Sequence, residues 1–302
     1  MKLSVFLELV EIKAKTASIF PFLLGICYAY YHYKQLNWLN LLLFFVAMLL
    51  FNMAVDINDN YWDYRNAEHT SSQDFRQKTN VIGVNHLNIK KIGWLNYSLM
   101  LIAAIIGIWL VIRVGWLLLI LGIFCFAVGF LYAGGPKPLN SLPLGEFFAG
   151  FTMGFMIFLL AVLINVYPQV PFDWQFIGPI LLTSGLSACA IASLLLANNI
   201  CDYQEDIDLG RHTIVRYLGV HKSLILYVSF WIIGYFMLIV AVICHFAPWT
   251  LLLTLLITPI LFKNTKQFFA VHIKKQTFPL AIKNLFIATL TQVLCFALGL
   301  FI

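Results

Sequence analysis

The sequence predicts an all-α fold: a polytopic membrane helix bundle of nine transmembrane helices, with residues 1–302 forming a single domain. Three observations predict it. Only 11% of the residues are charged, against about 25% in soluble domains. Mean hydropathy is +0.89, so most of the chain faces lipid or other apolar helices. The apolar runs are also long and continuous. Backbone in lipid must satisfy its own hydrogen bonds, which leaves helices or a closed barrel. Barrel strands would alternate apolar and polar residues over about 10 positions, and these runs do not.

A span needs about 20 apolar residues. Taken in order, the runs are 17–33, 38–55, 93–112, 114–133, 145–166, 177–199, 223–244, 246–262 and 279–301. The third and fourth are separated only by Arg113 and its neighbours, and the seventh and eighth meet near His245 to Pro248. An amphipathic start containing Glu8, Glu11, Lys13 and Lys15 precedes the first run, so no cleavable signal peptide is expected. The cysteines at 27, 125, 189, 201, 244 and 295 lie in or beside apolar runs without metal-ligand spacing and read as packing residues.

Nine spans place the termini on opposite sides, and the connections alternate between them. One side carries 17 of the 19 Lys and Arg residues; Lys34 and Arg113 are the exceptions. The positive-inside rule makes the rich side cytoplasmic, with the N-terminus. The same side carries 12 of the 13 Asp and Glu residues, all but Asp173. That rule says little about acids, so their segregation needs another cause: a cation, or a metal with its ligand, handled at this face. Nothing in the pattern points to nucleic acid, and the basic residues suit anionic lipid headgroups.

Two acidic stripes stand out. At the end of the second run, Asn52, Asp56, Asp59 and Asp63 are spaced by four, three and four. If the helix continues, those steps stack them on one face. At the end of the sixth run, Asn198, Asp202 and Asp206 repeat the step of four, with Asn199 alongside. Stacked carboxylates repel one another, and a divalent cation removes that cost; Mg²⁺ favours carboxylate oxygens together with substrate phosphates. Both stripes share Asn-x3-Asp, and each is followed by a basic residue, a Thr and a Gly-Val step: Lys78-Thr79 with Gly83-Val84, and Arg211-His212-Thr213 with Gly219-Val220. This is an internal repeat of motif rather than of length. Arg76, Lys78 and Arg211 are placed to complete a clamp around a diphosphate. A cation transporter using the same acids is the rival from another class. It expects broken helices near the bilayer midplane, whereas these stripes end uninterrupted runs.

At these residues the chain resembles the UbiA superfamily of intramembrane aromatic prenyltransferases. The first stripe matches that family's Asn-x3-Asp motif with its following acids, and Asn198, Asn199, Asp202 and Asp206 match its second. Within the family it is most similar to the branch acting on 1,4-dihydroxy-2-naphthoate. That similarity rests on three stretches: Lys15-Thr16 to Pro21 and Leu24-Gly25; Tyr132-Ala-Gly134-Gly135-Pro136-Lys137-Pro138 with Leu144-Gly145-Glu146; and Asn198 to Asp206 with Gly210-Arg211, Thr213 and Leu218-Gly219. Relatives often place an Arg before the Gly that opens the third helix. Here Arg76-Gln-Lys78-Thr-Asn80-Val-Ile-Gly83 leaves Arg76 or Lys78 for that role.

The resemblance implies nine helices around a site that opens to the cytoplasm, in a bacterial plasma membrane. It implies Mg²⁺ bridging Asp56, Asp59, Asp63, Asp202 and Asp206 to a polyprenyl diphosphate, with Asn52 and Asn198 completing the shells. Lys15, Arg76, Lys78, Lys137, Arg211, Asn199 and Tyr132 become candidates for substrate contact. Tyr61, Tyr64, Tyr132 and Tyr203 are candidates for holding an allylic cation against an aromatic face. The expected product is demethylmenaquinone. The alternative within the family is another aromatic acceptor, such as 4-hydroxybenzoate.

Overall fold

Apolar runs of 18 residues and more, with few interior charges, fold as helices because a helix pairs its own backbone. The computed structural model describes residues 1–66, 77, 79–135 and 137–302. Arg76, Lys78 and Pro136 therefore lie outside the described residues.

The helices are α1 (Leu3–Leu9), α2 (Thr16–Tyr33), α3 (Trp38–Asn66), α4 (Val81–Val84), α5 (Ile89–Val114) and α6 (Trp116–Ala133). After these come α7 (Gly145–Val166), α8 (Trp174–Cys201), α9 (Tyr203–Asp208), α10 (Ile214–Ile243), α11 (Thr258–Ala270) and α12 (Phe278–Leu298). A 3-10 turn, Ile12–Lys15, leads into α2. Among the described residues, eight helices are long and apolar enough to cross a membrane. The eighth expected span is built differently: a 3-10 helix, Trp249–Ile257, runs into α11. Its apolar stretch is thus divided between two helical geometries.

The helices form two groups. α3 packs against α5 and α6, and α8 packs against α10 and α12. α2 and α7 join them, since α2 touches α7, α12, α8 and α3. Close approach of α7 to α8 requires glycine. A Cβ on Gly154 would lie 2.3 Å from the Ala188 Cα, and helices in lipid approach through such small residues. This contact falls in a π-helical segment, Gly150–Met156.

Length places the acids. α3 has 29 residues, and at about 1.5 Å each it runs well beyond the ~30 Å hydrocarbon core. Its last turns, which carry Asp56, Asp59 and Asp63, can therefore leave the apolar layer without breaking the helix.

Candidate active site

α3 is unbroken through Asn66, so the first stripe is the single helical face that the spacing predicts. The second stripe is hinged. α8 ends at Cys201, Asp202 takes φ −95° and ψ 9°, and α9 begins at Tyr203. The bend is small: the Asp206 N–H still donates to the Asp202 carbonyl at 2.8 Å. Asn198 and Asp202 thus stay on adjacent turns, and the Asn198 Nδ2 donates to Asp202 Oδ2 at 3.0 Å.

Each Asn-x3-Asp pair holds an ammonium. Lys15, whose side chain is 3% exposed, ion-pairs with Asp56 and donates to Asn52 Oδ1. On the other stripe, Lys274 ion-pairs with Asp202 and donates to Asn198 Oδ1. Arg211 links the two stripes: its Nη2 lies 2.7 Å from Asp63, and its Nη1 lies 3.4 Å from Asp206. The Asp59 Oδ1 accepts a hydrogen bond from Asn140 Nδ2 at 2.7 Å. Asn199, buried, donates to Glu146 Oε1 at 2.9 Å.

The connection between α6 and α7 reaches the first stripe through Asn140, and the first turn of α7 reaches the second through Glu146. The connection is anchored further by the His212 N–H, which donates to the Ser141 carbonyl at 2.8 Å. Tyr132, at the end of α6, lies within electrostatic reach of Asp59 and Glu146. Tyr61 and Tyr64 pack in a smaller apolar cluster with α1, α4 and α5, and Tyr203 packs against the main core. Lys137 is exposed and makes no hydrogen bond or ion pair among the described residues.

Charge is balanced tightly here. Burial pushes the Asp206 carboxyl up to about 6, opposed by Arg211 and reinforced by Asp202 and Glu205. Burial also raises Glu205, with Asp202 adding to it. For Arg211, burial opposes the charge, but Asp63 and Asp59 outweigh it and hold the guanidinium above its ordinary range.

The donor set suits a hard cation. It consists of carboxylate and carboxamide oxygens, and Asp206 Oδ2 is buried without a hydrogen-bond partner among the described residues. No three His, Cys, Asp or Glu side chains among the described residues gather closely enough to hold an ion alone. Lys15 and Lys274 mark positions where positive charge is already accepted.

The helical spacing aligns Asn52, Asp56, Asp59 and Asp63 on one stripe and Asn198, Asp202 and Asp206 on the other; long-range contacts add Lys15 to the first, Arg211 between the two, and Glu146 to Asn199. Two partners carried no sequence signal. Lys274 lies in a lysine-rich connection that reads as topology alone, and Asn140 lies in a loop with no motif of its own.

The class of this multi-spanning bundle, with its paired acidic stripes bridged by Arg211, is that of the intramembrane prenyltransferases, as the family comparison shows. The chain belongs to the UbiA prenyltransferase family, whose model matches residues 18–290. It is 28% identical over 239 residues to the 1,4-dihydroxy-2-naphthoate octaprenyltransferase of Bacillus subtilis (strain 168), covering 78% of this chain and 72% of that one. The apo structure of a UbiA homolog from Aeropyrum pernix K1 has a TM-score of 0.71 at 14% identity, covering 92% of this chain and 97% of that one. A UbiA homolog from Archaeoglobus fulgidus, bound to DMAPP and Mg²⁺, has a TM-score of 0.59 at 11% identity, covering 95% and 98%. These two structures share the fold. The protein is thus a multi-pass membrane prenyltransferase.

Proposed function

We propose that the protein transfers a polyprenyl group from polyprenyl diphosphate to 1,4-dihydroxy-2-naphthoate, with Mg²⁺, releasing diphosphate and CO2 and giving the quinol form of demethylmenaquinone. The observation that carries this reading is a pair of Asn-x3-Asp seats on two acidic stripes, which Arg211 bridges through Asp63 and Asp206. Sequence similarity to the naphthoate enzyme of Bacillus subtilis supports the choice of acceptor.

Asn52, Asp56, Asp59 and Asp63 on α3, and Asn198, Asp202 and Asp206 around the α8–α9 hinge, would hold the metal. Bound Mg²⁺ would neutralise the diphosphate and stabilise the charge that develops as the carbon–oxygen bond breaks. Arg211 and Lys15 orient the diphosphate, and Arg76 or Lys78 would add to them. Asn140 fixes the Asp59 carboxylate, and Asn199 and Glu146 fix the wall beside it. Apolar helices below the stripes surround the prenyl chain and exclude water from the allylic cation. The acceptor's ring carbon then donates an electron pair to the allylic carbon, and the ring loses its carboxylate as CO2. Tyr132 offers its ring face to the cation. The basic mouth attracts the anionic acceptor.

The same reading places the protein in a bacterial plasma membrane with its N-terminus in the cytoplasm, on the strength of the one-sided Lys and Arg distribution. An acceptor panel tests the substrate assignment. Purified protein is given an allylic polyprenyl diphosphate, Mg²⁺ and either dihydroxynaphthoate or 4-hydroxybenzoate. Prenylated naphthoquinol from the first and nothing from the second is the expected result; the reverse overturns the acceptor.

A further inference from the structure

The two seats are built alike from unrelated parts of the chain. In each, a carboxamide oxygen and a carboxylate oxygen four residues apart on a helical turn receive one lysine ammonium. Lys15 reaches the first seat from the 3-10 turn before α2. Lys274 reaches the second from the connection between α11 and α12. They differ in burial. The Lys15 side chain is 3% exposed and that of Lys274 is 43% exposed. In the seat, the Lys274 ammonium also lies 5.0 Å from the centre of the Phe278 ring, which adds an aromatic face to its surroundings.

We propose that Lys274 is a positioning residue that occupies the Asn198/Asp202 seat as a built-in counter-ion until a divalent cation takes its place, and then turns to the diphosphate. This rests on the metal reading given above. An ammonium and a divalent cation set against the same two oxygens repel each other, so whichever binds the seat shifts the population away from the other. Without either, Asp202 would face Glu205 and Asp206 uncompensated. Once displaced, Lys274 carries its charge on an exposed connection at the mouth, where the incoming diphosphate supplies new anionic oxygens. Lys15, being enclosed, is the harder of the two to displace, so the second seat exchanges first.

Mn²⁺ binding to the full-length protein in detergent, followed by electron paramagnetic resonance without any substrate, tests this. Lys274→Met should bind Mn²⁺ about fivefold more tightly than wild type, the scale of an exposed ion pair. Lys274→Arg should stay near wild type. In turnover, Lys274→Met should raise the KM for prenyl diphosphate, because the displaced cation is missing. Mn²⁺ affinity that is unchanged or weaker in Lys274→Met overturns the proposal while leaving the metal reading intact, provided Asp202→Asn weakens binding. A wild-type protein that binds no Mn²⁺ overturns both.

Discussion

Arg211 and Asp63 meet across 148 residues of sequence, with the Arg211 Nη2 placed 2.7 Å from each carboxylate oxygen of Asp63. The same guanidinium reaches Asp206 through Nη1. One side chain therefore bridges the two acidic stripes. Arg211→Lys keeps the charge but loses the planar fork that serves two carboxylates at once. We expect it to lower kcat/KM for prenyl diphosphate about tenfold or more, the scale on which a positioning contact acts. Steady-state kinetics on purified variants check this; an Arg211→Lys enzyme with wild-type kcat/KM contradicts it.

Asn140 holds Asp59 from a loop rather than from a helix. Removing it in Asn140→Ala leaves Asp59 at its place on α3 but free to rotate. Activity should fall about tenfold with little change in thermal stability, since Asn140 is only partly buried. A large drop in melting temperature with full residual activity would show that the residue serves the fold instead.

The raised Asp206 carboxyl gives a pH dependence. Its ionisation lies near 6, above the ordinary value for an aspartate of about 3.9. Below that pH the carboxyl is protonated and cannot act as an anionic ligand. Activity of the free enzyme, followed as kcat/KM, should therefore rise as pH increases through about 6. Asp206→Asn should remove this limb together with most of the activity. A profile that stays flat between pH 5 and 7 contradicts the assignment.

Packing between α7 and α8 is equally testable. Gly154→Ala would bring a methyl within 2.3 Å of the Ala188 Cα, so backbone must shift. Overpacking of this kind costs about 1–3 kcal/mol. A clear drop in melting temperature in detergent is expected. An unchanged melting temperature would mean that the two helices do not approach as closely as described.

Helical periodicity explains why so much of the site was legible. Asn52, Asp56, Asp59 and Asp63 could be read as one face because α3 continues past the membrane edge without interruption. Asn198, Asp202 and Asp206 could be read in the same way, although the helix hinges at Asp202. The hydrogen bond from Asp206 N–H to the Asp202 carbonyl preserves the helical step there. What periodicity does not encode is which distant residue closes each seat. Lys274 is one of several basic residues on its side of the membrane, and Asn140 depends on a loop path. The eighth span was legible as apolar, but its division between a 3-10 helix and α11 depends on packing rather than on composition.

Prenyl transfer by the purified protein, with an allylic polyprenyl diphosphate and dihydroxynaphthoate, in the presence of Mg²⁺ or of EDTA, tests the central claim most directly. Prenylated product that appears only with Mg²⁺, and that is lost in both Asp56→Ala and Asp202→Ala, is the predicted result. Undiminished product with EDTA, or in either of those variants, would contradict the account.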